Sequence, residues 1–184
     1  MLHSALHPGF SKIHGTGIVA LRDIPMGTAV WWPCPRCVVF PPDRQSHTPD
    51  AVLRWVAEYG YRRADGAWIT PCSGASFFNH SCDASVLSEG LSVGIAVRDI
   101  ARGEEVTSDY REFRYEDSWE FSCACRSPRC VGVVRSTHES PPPQLQSEWL
   151  AKVHHAVAAA RTVSQETPVL GGDIHGVVIG GSDG

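Results

Sequence analysis

The sequence lacks the features that mark membrane proteins and broad nucleic-acid binders. No hydrophobic run approaches the roughly 20 residues that a membrane-spanning helix needs. Basic residues are not in excess, since 16 Lys and Arg face 20 Asp and Glu and the formal net charge is -4. Nucleic-acid binding usually requires clustered basic residues. We therefore expect no membrane partner and no direct nucleic-acid partner, whereas the acidic balance suits a cationic polypeptide.

A secretory signal and a disulfide pattern are also lacking. Residues 1–8 have no charged start and no apolar core of the length that a secretory signal requires. The chain has 7 cysteines, an odd number, and three of them cluster at the spacing of metal ligands. These features predict an intracellular protein, in the cytoplasm or the nucleus, where thiols stay reduced.

The composition suits one domain with an appendage. Hydrophobic residues make up 42% of the 184 residues and charged residues only 20%, so the chain can bury a proper core. Short apolar segments between glycine-containing turns predict strands. These segments are 17–21, 28–32, 68–70 and 85–97, the last holding two strands about Glu89-Gly90, with a hairpin turn at 64–67. Because helical patterns are few, the sequence predicts a mostly β fold of the α+β class.

A first helix is predicted from Thr48 to Tyr59. Thr48 is placed to cap it, Pro49 occupies the first helical position and Asp50 lies in the first turn. Apolar residues then recur at helical spacing, and Gly60 predicts the end.

A second helix is predicted over 144–163, after a proline-rich linker at 140–143. Its apolar stripe must pack either on the domain or on a second copy of the chain, and the second arrangement would give a homodimer. The residues from 165 to 184 are rich in glycine and predict a loosely attached tail.

Four of the 7 cysteines lie in two motifs. Two aromatic residues run directly into Asn79-His80-Ser81-Cys82, and Cys123-Ala124-Cys125 is followed by Cys130. The three later thiols are one short of the four that a closed tetrahedral zinc site requires. Cys82 could be the fourth ligand, in which case one metal ion would join the two motifs. Between them lies the segment from Gly103 to Tyr110, Gly-Glu-Glu-Val-Thr-Ser-Asp-Tyr.

A separate C-x-x-C unit is formed by Cys34 and Cys37. Such a unit can bind a metal or act as a redox pair. A second metal site would need two more ligands, for which Cys72 and a histidine such as His47 are candidates. Nothing in the sequence brings these residues together, and the alternative is that the cysteines are ordinary small buried residues.

The order of these motifs resembles the SET-domain protein-lysine methyltransferases that carry a post-SET zinc motif. The resemblance rests on NHSC, GEEVTSDY and C-x-C-x4-C, preceded by Gly15-Thr16-Gly17, which is similar to the family's amino-terminal G-x-G segment. It covers roughly residues 9–132. It implies a fold of short β-sheets with a pseudoknot-like threading near NHSC, two cofactors (S-adenosylmethionine and zinc), and a lysine-bearing protein such as a histone tail as substrate.

The resemblance also implies domain boundaries. Residues 9–112 would form the SET domain, with a helical insert at about 48–60 that makes one wall of the peptide groove. Residues 113–133 would form the post-SET zinc segment. Beyond the part that the resemblance covers, composition and periodicity predict the linker with its helix at 140–164 and the tail at 165–184.

Roles for individual residues follow from the same resemblance. Tyr110 would be the catalytic residue and contact the methyl donor; the alternative is a core tyrosine with a bonded hydroxyl. The other expected donor contacts are Gly15, Thr16, Gly17, Asn79, His80 and Phe121. Ser108 and Phe113 would line the substrate channel. The expected zinc ligands are Cys82, Cys123, Cys125 and Cys130.

The chain departs from the family pattern at two places. Asp83-Ala84-Ser85 follows NHSC where members usually continue with Pro-Asn, and Ser108 stands where relatives carry a Phe or Tyr that limits the space around the amine. A small residue at 108 implies room for a second or third methyl group, unless another aromatic side chain or an ordered water fills that space. Two other functions remain open from the sequence: a SET-like zinc-containing binding module with weak catalysis, and a thiol redox protein centred on Cys34 and Cys37.

Overall fold

The computed structural model describes residues 1–62, 67–72, 74–88, 93–113, 119–136 and 141–167. Within these residues there are twelve strands and two α-helices. The strands are β1 (Leu6–Phe10), β2 (Thr16–Ala20), β3 (Ala29–Trp31), β4 (Val38–Phe40), β5 (Tyr61–Arg62), β6 (Trp68–Thr70), β7 (Asn79–His80), β8 (Val86–Leu87), β9 (Gly94–Ala96), β10 (Glu105–Ser108), β11 (Glu120–Ser122) and β12 (Val133–Arg135). The helices are α1 (Asp50–Tyr59) and α2 (Pro143–Ala159). The predicted mostly β fold is confirmed.

Strand β10 occupies the middle of the largest sheet. The strand order is β1-β2-β10-β8-β9-β3, and β7 also pairs with β10. β10 runs antiparallel to β2 but parallel to β7 and β8. In this register Thr107 lies opposite Asn79 and Ser108 lies opposite His80. The sheet thus places the two motifs that the sequence singled out side by side.

Helix α2 packs on the core of its own chain. Trp149, Val153 and Ala156 are buried in the cluster that also holds Leu87 and Ile95 of the large sheet. Their recurrence at helical spacing explains the contact, because residues three and four apart share one face of a helix. The sequence left open whether the apolar stripe of α2 packs on its own domain or on a second copy, and the stripe packs on its own domain.

Two small sheets flank the large sheet. Strands β4, β6 and β5 form one of them, beside α1, while β11 and β12 pair around the cysteine-rich segment. The β11-β12 pairing brings the chain before Cys123 next to the chain after Cys130. The Cys123 N–H also donates to the Gly132 carbonyl at 2.7 Å. The zinc motif is therefore held as a closed loop.

The start of α1 differs from the prediction. The helix begins at Asp50 with Pro49 in the capping position, and no side chain caps it. The Thr48 hydroxyl instead donates to the Arg44 carbonyl at 2.8 Å, since the preceding 3-10 turn offers a nearer acceptor. Gly60 follows the last helical residue, as predicted.

Other predictions fall partly or wholly outside the described residues. The turns at 64–66 and 89–90, residue 140 of the predicted linker and the part of the predicted tail from 168 onward lie there. The domain boundaries stay predictions. Among the described residues, no helix combines the length and the apolar character needed to cross a membrane.

Candidate active site

A cavity of about 420 Å³ lies between the end of α1, strand β10 and the segment around β11. Seven of the 17 residues that line it are aromatic, and the lining includes four residues that the sequence singled out: Ser108, Tyr110, Phe113 and Phe121. The other aromatic wall residues are Trp31, Tyr59, Phe78 and Trp119. Tyr59 at the end of α1 and the following Gly60 also line the cavity; that the helical insert forms one wall of a peptide groove stays a prediction. Its lining does not include Gly15, Thr16, Gly17, Asn79 or His80.

Tyr110 is fixed by hydrogen bonds at both ends. Its hydroxyl donates to the Phe78 carbonyl at 2.7 Å, and its backbone N–H donates to His80 Nδ1 at 3.1 Å. Burial raises the pKa of the Tyr110 phenol to about 12. The phenol is therefore neutral at physiological pH, and its oxygen keeps lone pairs that can accept a hydrogen bond.

His80 connects Tyr110 to the cysteine cluster. While Nδ1 accepts from Tyr110, Nε2 lies 3.3 Å from Cys82 Sγ. The ring also packs against those of Tyr110 and Phe121, with centroids 5.5 and 5.8 Å away. Burial lowers the pKa of His80 to about 4, against a smaller upward effect of Asp109. Since both ring nitrogens have protein partners, a contact from His80 to a methyl donor would come from its backbone.

Asp109 and Arg111 brace the backbone on either side of Tyr110. Asp109 is 1% exposed and accepts from the Arg111 side chain, at 2.8 Å from Nε and 2.5 Å from Nη2. It also accepts from the Arg111 backbone N–H at 3.1 Å. Arg111 Nη2 lies 3.5 Å from the Cys82 carbonyl oxygen. Sequence reasoning missed this pair, although opposite charges two residues apart around a catalytic candidate were visible in Asp-Tyr-Arg.

The G-x-G segment is held in place by Asn79. The Asn79 side-chain amide donates to the carbonyls of His14 at 3.0 Å and Thr16 at 3.1 Å. Gly15 has a φ of +49°, and a side chain built on it would meet nothing within 4 Å. Asn79 therefore positions the loop that was expected to contact the donor, and at Gly15 this loop faces open space.

A half-buried carboxylate, Glu105, completes the support of this loop. Its Oε1 accepts from Ser11 Oγ at 2.6 Å and from the Asn79 amide at 2.9 Å, and its Oε2 accepts from the Lys12 N–H at 3.2 Å. A Cβ on Gly17 would lie 2.4 Å from Glu105 Oε1. A side chain at position 17 would therefore displace the Glu105 carboxylate from its hydrogen bonds with Ser11 and Asn79. Sequence reasoning did not identify Ser11 or Glu105.

The four predicted zinc ligands come together. The Sγ atoms of Cys82, Cys123, Cys125 and Cys130 all lie within 4.8 Å of one another, and those of Cys82 and Cys123 are 3.9 Å apart. Two thiolates on one tetrahedral zinc ion, each bonded at about 2.3 Å, would be roughly 3.8 Å apart. Burial raises the pKa of Cys82 and Cys123, so a cation would help to keep them as thiolates. The donor set fits zinc.

Helix α2 contacts both sides of this cluster through ion pairs. Glu148 pairs with Arg129, which lies inside the cysteine loop, and with Lys152 one helical turn away at 3.1 Å. Lys152 also lies 3.6 Å from Asp83, next to Cys82. The carboxy-terminal helix therefore supports the zinc segment as well as the core.

The sequence model of the SET-domain family matches residues 15–111, which are more than half of the chain. This chain belongs to the SET-domain family. Histone-lysine N-methyltransferase ATX2 of Arabidopsis thaliana is 40% identical over 70 residues, which are 34% of this chain and 6% of ATX2. The chain therefore spans only a small part of the length of such curated relatives.

Solved structures of SET proteins share the fold. The methyltransferase domain of human histone-lysine N-methyltransferase SETMAR superimposes with a TM-score of 0.50 at 18% identity, covering 72% of this chain and 57% of that one. KRYPTONITE, in complex with mCHH DNA, H3(1-15) peptide and SAH, superimposes with a TM-score of 0.50 at 20% identity, covering 72% of this chain and 30% of that one. At these identities the likeness concerns the fold alone.

Proposed function

We propose that this SET domain is a protein-lysine N-methyltransferase that uses S-adenosylmethionine. The observation that carries the proposal is the neutral, doubly anchored Tyr110 in an aromatic cavity. His80 and Asn79 link that cavity to the open glycine loop. Support comes from relatives named histone-lysine N-methyltransferases, such as ATX2, and from the structural neighbour held with SAH and an H3 peptide.

The cavity is suited to a neutral amine. A free lysine has a pKa of about 10.4, and an apolar enclosure lowers it because the ammonium loses its hydration. The Tyr110 hydroxyl proton is already donated to the Phe78 carbonyl, so its oxygen is free to accept an N–H of the amine. That hydrogen bond would orient the lone pair of the amine toward the methyl group of S-adenosylmethionine. The aromatic walls keep water from competing.

The donor would lie against the glycine loop and the aromatic pair near β11. S-adenosylmethionine supplies the methyl group when it is bound. Gly15 leaves space for close approach of a ligand to the backbone. Trp119 and Phe121 are stacked, with centroids 5.7 Å apart and ring planes at 21°, and present a flat surface for a purine.

Cys82, Cys123, Cys125 and Cys130 would hold a zinc ion in this proposal. A bound zinc ion would supply folding free energy and would fix the cysteine loop, which begins next to the strand β11 that carries Phe121. Cys82 is also joined to Tyr110 through His80. Loss of the metal is therefore expected to loosen the donor surface and the catalytic tyrosine together.

Ser108 lines the cavity where a bulkier residue would restrict the amine, so the proposal includes transfer of more than one methyl group. The substrate is a lysine-containing protein, with a histone tail as the first candidate, in keeping with the net charge of -4. Action in the nucleus or the cytoplasm belongs to the same proposal. A homodimer through α2 would have to use residues other than the buried Trp149, Val153 and Ala156.

The test is methyl transfer from tritiated S-adenosylmethionine by the full chain, on a panel of histones and lysate proteins. Histones whose lysines have been chemically acetylated beforehand serve as the matched control, because an amide nitrogen does not accept a methyl group. We expect label on the unmodified proteins only, with products carrying more than one methyl by mass spectrometry. Donor binding without label on any protein would favour the binding-module alternative, and label on the blocked histones would exclude lysine as the acceptor.

A further inference from the structure

A second group of thiols lies apart from the post-SET cluster. Cys34, Cys37 and Cys72 have Sγ atoms that all lie within 4.8 Å of one another. The Cys34 and Cys72 sulfurs are 3.3 Å apart, and those of Cys34 and Cys37 are 4.0 Å apart. Cys37 is buried and the other two are half-buried. The fold thus brings Cys72 to a C-x-x-C unit that is distant in sequence.

The local backbone forms a tight turn that brings the Cys34 and Cys37 thiols to one side. The Cys37 N–H donates to the Cys34 carbonyl at 2.9 Å, closing a tight turn. The Cys34 N–H points to Cys37 Sγ at 3.4 Å, a contact that stabilises a thiolate. The sulfur separations are far from the roughly 2.05 Å of a disulfide. They lie on either side of the roughly 3.8 Å expected between two thiolates on one tetrahedral zinc ion.

We propose that Cys34, Cys37 and Cys72 bind a second zinc ion as three thiolates. No Cys, His, Asp or Glu atom elsewhere in the described ranges joins the three, and His47 is not part of the group. A fourth ligand would have to be water or a group outside the described ranges.

The second ion would fasten the small sheet beside the cavity. Cys37 directly precedes β4, Cys72 lies two residues after β6, and these strands pair with Val38 opposite Thr70. Pro71, next to Cys72, lines the cavity, as does Tyr59 at the end of α1. The metal would thus stabilise the wall of the cavity that Pro71 and Tyr59 form, where the substrate would bind. This consequence for the cavity rests on the proposed function, whereas zinc binding itself does not.

The experiment is native mass spectrometry of the full chain, prepared with zinc under reducing conditions. We expect two zinc ions per wild-type chain, and one in Cys72→Ser. The matched control is Val38→Ser, which adds a serine at an exposed neighbouring position without removing a thiol, and should keep two ions. A zinc count can be read whether or not the chain transfers methyl groups, so failure of either proposal is distinguishable.

Thiol mapping of wild type provides a second measurement that does not depend on the folding of a variant. Brief alkylation of the zinc-loaded chain should spare all 7 cysteines. A single bound zinc ion, with rapid alkylation confined to Cys34, Cys37 and Cys72, would overturn the proposal. A Cys34–Cys72 disulfide found under the same reducing conditions would also overturn it.

Discussion

Replacing Asp109 by Asn tests whether the charged brace around Tyr110 supports the site. The substitution keeps the size of the side chain but removes its charge. Asp109 accepts two side-chain bonds from Arg111, at 2.8 and 2.5 Å, and the Arg111 side chain is only 17% exposed. The variant would leave a half-buried guanidinium with one neutral acceptor in place of a carboxylate.

Breaking a buried ion pair by removing one partner costs about 3–5 kcal/mol. Because the Asn oxygen still accepts one bond, we expect a loss of about 2–4 kcal/mol in the free energy of unfolding. For a chain of this length, each kcal/mol lowers Tm by roughly 2–4 °C, which gives a decrease of about 5–15 °C. Methyl transfer should fall as well, since the backbone of Tyr110 lies between the two residues of the brace.

The assay is thermal unfolding followed by circular dichroism, with Glu120→Gln as the matched control. Glu120 pairs with Arg135 at 2.8 Å, but the two side chains are 64% and 65% exposed. Exposed pairs contribute only about 0–1 kcal/mol, so this control should lower Tm by less than about 4 °C. Equal effects of the two substitutions would refute the reasoning, as would failure of Arg111→Met to restore part of the stability lost in Asp109→Asn.

Three further predictions concern the donor loop, pH and the carboxy-terminal helix. Gly17→Ala would force Glu105 to move from its 2.4 Å approach to the new Cβ, so calorimetry should show weaker donor binding; an unchanged Kd would contradict this. The rate of methyl transfer should rise with pH, because the substrate lysine deprotonates. Since burial raises the pKa of Tyr110 to about 12, the rate should not fall until the phenol ionises near that pH, and a fall below pH 10 would contradict this. Glu148→Gln should lower stability by about 0.5–1 kcal/mol at neutral pH. Because Arg129 lowers the pKa of Glu148 to about 2, the difference from wild type in thermal melts should be complete above pH 4.5 and disappear as pH falls through 2.

Much of the fold could be predicted because its signals are local. The apolar segments at 17–21 and 28–32 became β2 and β3, and the periodic stripe of 144–163 became α2. The zinc motif was also predictable, since C-x-C-x4-C fixes the spacing of three ligands and only a distant fourth is needed. The capping role of Thr48 was wrong because a carbonyl in the preceding turn competed for its hydroxyl.

The support of the site could not be predicted, because it depends on contacts between distant segments. Glu105 meets Ser11 only when β10 pairs with β2, and His80 meets Tyr110 only when β7 pairs with β10. Composition gives no indication of these registers. The grouping of Cys72 with Cys34 likewise depends on the pairing of β4 with β6, which the spacing of the cysteines does not encode.

The most direct test of the central claim compares wild type and Tyr110→Phe for methyl transfer and for donor binding in the same preparation. The substitution removes only the hydroxyl that donates to the Phe78 carbonyl. We predict that wild type methylates lysine, and that the variant is slower by about 100-fold or more while its Kd for S-adenosylmethionine changes by less than about threefold. A variant that transfers as fast as wild type would contradict the account, and so would a wild-type chain that binds the donor but methylates no protein.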